Sequence, residues 1–295
     1  MTEAPIISVE GLVCRYGDFT AVKGIDFDVR AGELFALLGT NGAGKTTTLE
    51  TVEGFRAPSE GKVTVAGYAP HRHRGVRRRM GIMIQDEALA DDLTCSEMLR
   101  LCGRLSGRTD DVDRLLDDVQ LDHRADAVIS QLSGGERRRL DFAIALWGNP
   151  EIVILDEPTT GLDPQSRESL WRLVDMAVAE GTTVVLTTHY LEEAETHASR
   201  VAIMHGGQIA EAGSVEEVRS QHGTVLSVEA DSDGPRGWAR AGRRWQWETR
   251  DVEPALRDLL EWAHATGNSL DSLEVDRPTL SRVFHEIARK GDADA

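Results

Sequence analysis

The chain has 295 residues and a formal net charge of −17 at pH 7, from 33 lysines and arginines against 50 aspartates and glutamates. Hydrophobic residues make up 40% of it, which is typical of a globular protein with its own core. The acidic balance excludes a general nucleic-acid binder, because neutralising phosphates requires clustered basic residues. Every apolar run is far shorter than the roughly 18 residues of a membrane helix. With no visible signal peptide and three scattered cysteines, we expect a cytoplasmic location.

Two kinds of strand are predicted in the first two thirds of the chain. Segments that alternate apolar with polar residues favour a half-exposed antiparallel sheet: Ile6–Val9, Ile25–Val29 and Lys62–Val65. Nearly continuous apolar runs favour parallel strands covered on both faces: Leu34–Leu38, Ile152–Leu155 and Thr183–Thr187. A buried helix could give one such run, but these runs are short and end in turn-forming residues. The predicted fold class is therefore α/β.

The region between two of these parallel strands is mostly helical in pattern. Residues 87–148 are predicted to form an inserted helical subdomain, in which Met98, Leu99, Leu101 and Leu105 share one side of a helix. After a loop over 231–242, the remaining elements predict a small α+β extension: a strand at Arg244–Thr249 and helices at Val252–Ala265 and Thr279–Arg289. The expected domains are 1–222 and 223–295.

Residues 39–46 match the phosphate-binding pattern GxxxxGK[ST] at every position, between a predicted strand and a predicted helix. Glycines allow the backbone to approach a polyphosphate closely, and the N–H groups at a helix start favour anions. Lys45 would contact the β- and γ-phosphates, and the Thr46 hydroxyl would ligate Mg²⁺. The nucleotide-binding residues expected here are Gly39, Thr40, Asn41, Gly42, Ala43, Gly44, Lys45, Thr46 and Thr47.

Two adjacent carboxylates, Asp156 and Glu157, follow the buried strand Ile152–Leu155. Burying both without a positive partner is costly, and a magnesium–ATP complex would supply the missing charge. Asp156 would hold Mg²⁺, and Glu157 would face the attacking water. The alternative interpretation is that the pair caps a helix.

A second glycine-rich helix start lies at Ser133, Gly134, Gly135 and Glu136, before the helical run Arg137–Trp147. Taken alone, this segment could be an ordinary loop and helix cap. Together with the phosphate loop and the carboxylate pair, it resembles the signature motif of the ATP-binding-cassette (ABC) family. That resemblance covers about residues 6–220. It implies a P-loop ATPase core with an antiparallel β-subdomain and an inserted helical subdomain.

The resemblance also implies a role for each matching residue. Tyr16 would stack on adenine, and Gln85 would contact Mg²⁺ or the attacking water. His189 would contact the γ-phosphate and orient that water, and Asp163 would lie at a dimer seam. The signature residues Ser133, Gly134, Gly135 and Glu136 would bind the ATP of the opposite protomer. The implied cofactors are ATP and Mg²⁺. The implied catalytic residues are Glu157, His189 and Gln85, and the implied metal ligands are Thr46, Gln85 and Asp156.

Two positions depart from the usual family pattern without removing a catalytic group. Thr40 stands where many members have proline, and Glu136 replaces the commoner glutamine of the signature. The extra negative charge of Glu136 could be offset by the arginines that follow it at 137–139.

Longer segments resemble the ATPase subunits of ABC-2 type exporters, the group that contains the daunorubicin-resistance ATP-binding subunit: Gly54–Gly61, Thr159–Pro164, Thr188–Glu195 and Pro278–Phe284. This resemblance implies an ATPase subunit that pairs with a second cassette, expected to be an identical copy, and with a separate transmembrane permease. It would act at the inner face of the cell membrane and export a drug, antibiotic or lipid-like molecule. Residues 86–105 could receive the permease or simply pack in the core. An importer ATPase and a soluble, non-transport ABC ATPase remain the alternatives.

Overall fold

The computed structural model describes residues 4–85, 89–230 and 234–293. It divides into two compact units, one up to Ala212 and one from Gly213 to Lys290, and the residues from Gly291 onward are grouped with the first. This division falls before the predicted boundary at residue 222. The helix Val215–Ser220 belongs to the second unit, where Arg219 Nε donates a hydrogen bond to the Pro278 carbonyl at 2.9 Å.

The described residues of the first unit form nine strands, in chain order β1 (Ile7–Tyr16), β2 (Phe19–Val29), β3 (Leu34–Gly39), β4 (Glu60–Val65), β5 (Met80–Met83), β6 (Ile152–Asp156), β7 (Thr183–Thr188), β8 (Arg200–His205) and β9 (Gln208–Ser214). They form a three-stranded sheet in the order β2-β1-β4 and a six-stranded sheet in the order β5-β6-β7-β3-β8-β9. The pairs of the smaller sheet are antiparallel. From β5 to β8 the neighbours in the larger sheet are parallel, and its central strands β3 and β7 are buried along their whole length. The predicted division into two kinds of sheet is confirmed.

Seven helices accompany these strands in the described part of the first unit: α1 (Lys45–Val52), α2 (Arg74–Arg77), α3 (Cys95–Ser106), α4 (Val112–Asp118), α5 (Gly134–Leu146), α6 (Pro164–Ala179) and α7 (Leu191–His197). Helices α3, α4 and α5 pack on one another and form the expected helical subdomain. The prediction for the apolar side of α3 is wrong in part. Met98 and Leu99 are buried, whereas Leu101 and Leu105 are exposed, because the buried face of α3 continues through Cys95 and Gly103 instead.

The second unit is a small α+β fold with these elements: α8 (Val215–Ser220), β10 (Thr224–Glu229), β11 (Ala239–Ala241), β12 (Arg244–Thr249), α9 (Val252–Thr266), β13 (Glu274–Asp276) and α10 (Leu280–Ala293). Its sheet has the order β11-β12-β10-β13 with antiparallel pairs. Its core includes Leu226, Val228, Trp238 and Leu259. The prediction of a loop over 231–242 is wrong for β11, a strand of three exposed residues that pairs with β12.

Among the described residues, none of the helices combines the length and apolar character that a membrane crossing requires.

Candidate nucleotide-binding and catalytic site

The phosphate loop connects the buried end of β3 to the start of α1. Gly42 and Gly44 have φ values of 77° and 100°, a region of backbone conformation that other residues rarely adopt. A Cβ atom at Gly44 would lie 2.7 Å from the Ala21 carbonyl oxygen, so only glycine fits there. The loop therefore turns tightly against the antiparallel sheet and points the unpaired N–H groups of the first turn of α1 outward, as an anion site requires.

Lys45 is the buried cation of this loop. Lys45 is only 7% exposed, and its ammonium group donates hydrogen bonds to the Gly39 and Thr40 carbonyls at 2.8 and 3.3 Å. Burial lowers the pKa of Lys45, while the charges of Glu157 and Asp156 oppose that shift. Burial removes water from around the ammonium group. A phosphate group beside Lys45 would favour its charged form by supplying an anionic partner.

Tyr16 stands at the end of β1, next to the phosphate-loop helix. Its hydroxyl lies 3.2 Å from the Thr47 hydroxyl and donates to the Glu50 carboxylate at 3.4 Å. The guanidinium carbon of Arg56 lies 3.9 Å from the ring centre. Arg56 thus covers one face of the ring, and a nucleobase could stack on the other.

Asp156 ends β6 inside the site. Its carboxylate accepts a hydrogen bond from the Thr187 hydroxyl of the neighbouring strand β7. Burial is the largest influence on Asp156 and raises its pKa, and the negative charge of Glu157 acts in the same direction. A carboxylate in this environment gains from a nearby cation.

The donor set fits a magnesium ion that protein and phosphate hold jointly. The Asp156 carboxylate, the Thr46 hydroxyl and the Gln85 amide are oxygen donors of the kind that Mg²⁺ prefers. Among the described residues, no group of three or more His, Cys, Asp or Glu side chains could hold a metal by itself. Protein sites for Mg²⁺ commonly supply only one or two carboxylates and leave the remaining positions to water and substrate phosphates.

Gln85 and His189, the two other residues implied to be catalytic, both lie close to the Glu157 carboxylate. Its Oε2 atom lies 3.3 Å from Gln85 Nε2, 3.4 Å from His189 Nδ1 and 3.3 Å from the Thr160 hydroxyl. Its backbone φ of 47° is unusual for a residue other than glycine. Two bonds from its N–H, to the Thr187 carbonyl at 3.1 Å and hydroxyl at 3.2 Å, hold this conformation. The fold thus brings Gln85 and His189, which lie on two other loops, to the Glu157 carboxylate.

The signature segment begins α5 with a capping box. The Ser133 hydroxyl accepts from the Glu136 N–H at 3.3 Å, and the Glu136 carboxylate accepts from the Ser133 N–H at 2.8 Å. A Cβ atom at Gly135 would lie 2.2 Å from the Ser166 hydroxyl oxygen, so glycine is required there. Ser133 and Gly134 are exposed, and no hydrogen bond among the described residues connects Ser133 with Lys45 of the same chain.

The direct partner of the Glu136 carboxylate is a residue that the sequence did not single out. Arg124 donates to its carboxylate at 2.8 Å. Burial acts to raise the pKa of Glu136, but bonds from Ser133 and Arg124 outweigh it and hold that pKa below its usual range. The arginines at 137–139 point elsewhere: to Asp91, to the carbonyls around Glu157, and to the Val119 carbonyl. Arg139 also attracts Glu136 through its charge, so the expectation holds for that arginine, while the direct contact to Glu136 comes from Arg124.

Arg138 is a site residue that sequence reasoning missed. It is 4% exposed, and its guanidinium group donates to the carbonyls of Pro158 at 2.7 Å, Glu157 at 3.0 Å and Ile84 at 3.2 Å. It also bonds the buried Asp141 carboxylate at 3.3 Å. Arg138 therefore ties the signature helix to the loops that carry Glu157 and Gln85. In the sequence it is the middle of three consecutive arginines, a pattern that is typical of a solvent-exposed surface.

Glu193, on α7, is a second buried residue that the sequence did not single out. It is 7% exposed, and its Oε2 atom accepts from the Thr159 hydroxyl at 2.8 Å and the Thr188 hydroxyl at 3.3 Å. Thr159 lies two residues after Glu157, and Thr188 directly precedes His189. Glu193 thus joins the two loops whose residues meet at Glu157.

Asp163 occupies the N-cap of α6. Its carboxylate accepts from the backbone N–H groups of Gln165 and Ser166, both at 3.0 Å, and from the Ser166 hydroxyl at 2.6 Å. These bonds lower the pKa of Asp163, with the Ser166 side chain contributing most. The exposed loop before α6 is held in place by this cap, and a position at a dimer seam stays a prediction.

Known proteins are similar to this chain in both sequence and fold. A family described as "ABC transporter" matches residues 22–160. The Nod factor export ATP-binding protein I of Ralstonia nicotianae is 42% identical over 221 residues, which cover 72% of this chain and 68% of the relative. The chain belongs to the ABC transporter family. The corresponding protein of Cupriavidus metallidurans is 40% identical over 238 residues, 78% of each chain.

Solved structures of ABC proteins have the same fold. An ATP-binding subunit of an ABC transporter superimposes with a TM-score of 0.67 at 28% identity, covering 73% of this chain and 92% of the other. The cbiO1 subunit of Clostridium perfringens, part of the cbiONQ transporter complex, gives a TM-score of 0.67 at 29% identity, with 73% and 91% covered. As an ABC ATP-binding subunit, the chain binds and hydrolyses ATP.

A buried carboxylate beside the ABC site gives stability a pH dependence. Glu53 follows α1 and is 5% exposed, and burial, assisted by the charges of Asp156 and Glu50, raises its pKa to about 7 from 4.5. Since the folded chain holds this proton more tightly than the unfolded chain, ionising Glu53 destabilises the fold as pH rises from 4.5 to about 7.

Glu53→Gln is therefore expected to raise the free energy of unfolding by up to about 3 kcal/mol near pH 8, and by far less near pH 5. Urea denaturation of both proteins at the two pH values measures this difference. Glu180→Gln, at an exposed position directly after α6 whose charge does not act on Glu53, is the matched control and should show little pH-dependent change. An equal effect of Glu53→Gln at both pH values would contradict the assignment.

Proposed function

We propose that this chain is the ATP-hydrolysing subunit of an ABC exporter that works as a dimer with separate membrane permease subunits. The observation that carries the proposal is the meeting of Gln85 and His189 at the Glu157 carboxylate, behind a complete phosphate loop. The export direction is supported by relatives whose names describe them as Nod factor export ATP-binding proteins. A drug, antibiotic or lipid-like cargo stays a prediction for this chain.

The reaction begins with the binding of ATP by the phosphate loop. The loop N–H groups and Lys45 hold the β- and γ-phosphates, and Tyr16 stacks on the adenine. Thr46, Asp156 and Gln85 would hold Mg²⁺, whose positive charge would neutralise phosphate oxygens when it is bound.

The Glu157 carboxylate orients a water molecule and accepts its proton as the water oxygen bonds to the γ-phosphorus. The bond between that phosphorus and the bridging oxygen breaks, and ADP leaves with that oxygen. Gln85 and His189 hold Glu157 in place through their contacts with its Oε2 atom. Lys45 stabilises the negative charge that gathers on the phosphate oxygens.

The signature segment is suited to complete the site of a facing cassette. The Ser133 hydroxyl accepts a bond from its own helix, so its proton remains available for a phosphate oxygen. Arg124 neutralises Glu136, which removes a charge that would otherwise repel an incoming phosphate. A second copy of this chain would place two ATP molecules between two phosphate loops and two signature segments. Hydrolysis removes the bridging γ-phosphate and lets the dimer open.

Permease docking is proposed for the exposed part of the helical subdomain. Leu101 and Leu105 on α3 are 38% and 78% exposed, whereas Met98 is buried in the core. In this proposal, the core-packing interpretation of residues 86–105 holds for Met98 and the docking interpretation for Leu101 and Leu105, although residues 86–88 lie outside the described residues. Docking there would hold the chain at the inner face of the membrane. An importer ATPase and a soluble ABC ATPase are less well supported, because the similar relatives are named as export proteins.

Purification of the tagged chain from detergent-solubilised membranes tests this proposal. We expect a multi-span membrane protein to be recovered with it, and Leu101→Asp/Leu105→Asp to lose that protein because charge opposes apolar docking. Met176→Asp is the matched control, since Met176 is an exposed apolar residue on α6. Recovery of the chain without any membrane protein would contradict the transport role.

A further inference from the structure

A cleft of about 520 Å³ lies on the helical subdomain, and three arginines line it. Arg100 and Arg104 come from α3, and Arg108 follows the end of that helix. Trp147, which follows α5, also contributes to the lining. We call this feature the subdomain cleft and define it by these four residues. Three arginines in one cleft stand out in a chain whose net charge is −17.

Helical spacing and one tight contact bring these residues together. Arg100 and Arg104 are four residues apart, so their side chains leave the same side of α3. A Cβ atom at Gly103 would lie 2.5 Å from the Trp147 ring, so glycine lets α3 pack directly on that ring. Trp147 Nε1 donates to the Arg108 carbonyl at 3.1 Å, which fixes the backbone that carries Arg108. The fold thus holds three arginines around one buried aromatic ring.

Arg108 is a half-buried cation with unused donors. One of its terminal nitrogens donates to the Met80 carbonyl at 3.3 Å, and its Nε atom is buried without a hydrogen-bond partner among the described residues. Burial lowers the pKa of Arg108, while the charge of Asp110 opposes that shift. A desolvated guanidinium group gains from an anion that enters the cleft.

Acidic side chains near the cleft do not neutralise these arginines by direct contact. Asp110 is the acidic residue of the lining, and its carboxylate already pairs with Arg114 at 2.6 Å. Glu97, about one turn earlier on α3, attracts Arg100 through its charge without forming an ion pair. Within the described part of the chain, none of the three cleft arginines forms an ion pair with a carboxylate.

A second group of arginines borders the same cleft. Residues 72–79 contain five arginines, and among the described residues only Arg79 pairs with a carboxylate, that of Glu151. A Cβ atom at Gly107 would lie 3.6 Å from a terminal guanidinium nitrogen of Arg78, and Gly107 lines the cleft. The positive charge therefore extends from the cleft onto the segment around α2, beyond the size of a single small-molecule site.

The charged side of α3 adjoins its exposed apolar side. Leu101 and Leu105 each follow one of the cleft arginines by one residue, so they form the next row around the helix. These two leucines are the residues proposed for permease docking. A permease seated on them would keep the subdomain cleft close to the membrane surface.

We propose that the subdomain cleft binds the headgroups of anionic phospholipids, a role that rests on the proposed function because the permease brings the chain to the membrane. Guanidinium groups present planar pairs of donors that match two oxygens of a phosphate group. Many headgroups lie side by side in a bilayer, which matches positive charge spread over α2 and α3 better than one small anion does. Repulsion between the bilayer and distant acidic residues is screened beyond about 8 Å at physiological ionic strength.

Sedimentation of the full chain with phospholipid vesicles at physiological ionic strength tests this proposal. One set of vesicles contains phosphatidylcholine alone, and the other contains equal parts of phosphatidylcholine and phosphatidylglycerol. Three proteins are compared: wild type, Arg100→Gln/Arg104→Gln and Arg30→Gln/Arg172→Gln. The last pair is the matched control, because Arg30 and Arg172 are exposed residues of the first unit that do not line the cleft.

We expect wild type and the control to sediment with the phosphatidylglycerol vesicles. Arg100→Gln/Arg104→Gln should bind them at least about 10-fold more weakly, since each arginine near an anionic surface contributes roughly five-fold in affinity. Wild-type binding that is no tighter to these vesicles than to phosphatidylcholine alone, or equal binding by the two variants, would overturn the proposal. Thermal melting of each protein checks that it is folded.

The vesicles contain neither permease nor nucleotide, so a failure of ATP hydrolysis or of permease recovery would bear on the proposed function alone. Arg100→Gln/Arg104→Gln is also purified from detergent-solubilised membranes, and recovery of the permease at the wild-type level is expected. Loss of the permease with vesicle binding intact would assign the cleft to an acidic segment of the permease and overturn the lipid proposal.

Discussion

Glu157→Gln is expected to slow ATP hydrolysis by about 10²–10⁴-fold while ATP binding stays nearly unchanged. The amide keeps the size of the side chain and can still accept from Gln85 and Thr160, but it cannot take a proton from water. Lys45 and the phosphate loop, which hold the nucleotide, are untouched by this change.

Single-turnover release of phosphate and binding of a fluorescent ATP analogue separate the two effects. Glu168→Gln is the control, because its carboxylate is 73% exposed on α6 and takes no part in the site. Hydrolysis by Glu157→Gln at the wild-type rate would remove Glu157 from the chemistry. Loss of nucleotide binding would instead point to a structural role.

Arg138→Met is expected to lower the free energy of unfolding of the first unit by about 3–5 kcal/mol. The methionine would fill much of the space but would leave the carbonyls of Pro158, Glu157 and Ile84 without their donor. It would also remove the ion pair between Arg138 and the Asp141 carboxylate, which belongs to a residue that is 7% exposed. Buried polar groups that lose their partners are costly because water cannot replace them.

Urea denaturation measures this loss, with Arg139→Met as the matched control. Arg139 lies on the same helix and donates to one carbonyl, that of Val119 at 3.1 Å, so a loss of only about 1 kcal/mol is expected. Equal stability of the two variants would show that Arg138 does not brace the site. Arg138→Lys, which keeps the charge but not the planar donors, should lie between wild type and Arg138→Met.

The sequence was informative where one local pattern decides the structure. The glycines at 42 and 44 require left-handed backbone, and continuous apolar runs predict buried parallel strands; the structure has both features. Spacing could not show that Gln85 and His189 meet at Glu157, because the three lie on separate loops. The family resemblance implied a shared role for them, and the fold adds the contacts.

Buried charges were the main class of residue that the sequence did not reveal. Arg138 and Glu193 look like ordinary surface residues in the sequence, because their partners lie on distant elements or are backbone carbonyls, and Glu53 looks the same because tertiary packing alone buries it. The division of α3 into buried Met98 and exposed Leu101 had the same origin, since packing of α4 and α5 selects the buried face. Strand β11 was missed because its three residues are too few for an alternation of apolar and polar residues to be recognised.

The central claim is that Ser133 of a second copy of the chain completes the binding site of the ATP held at Lys45. Sedimentation velocity of Glu157→Gln, with and without magnesium–ATP, measures it most directly. The account predicts a monomer without nucleotide, a dimer with it, and a return to monomer when Ser133→Arg is added. A protein that stays monomeric at saturating ATP, or a dimer indifferent to Ser133→Arg, would contradict the account.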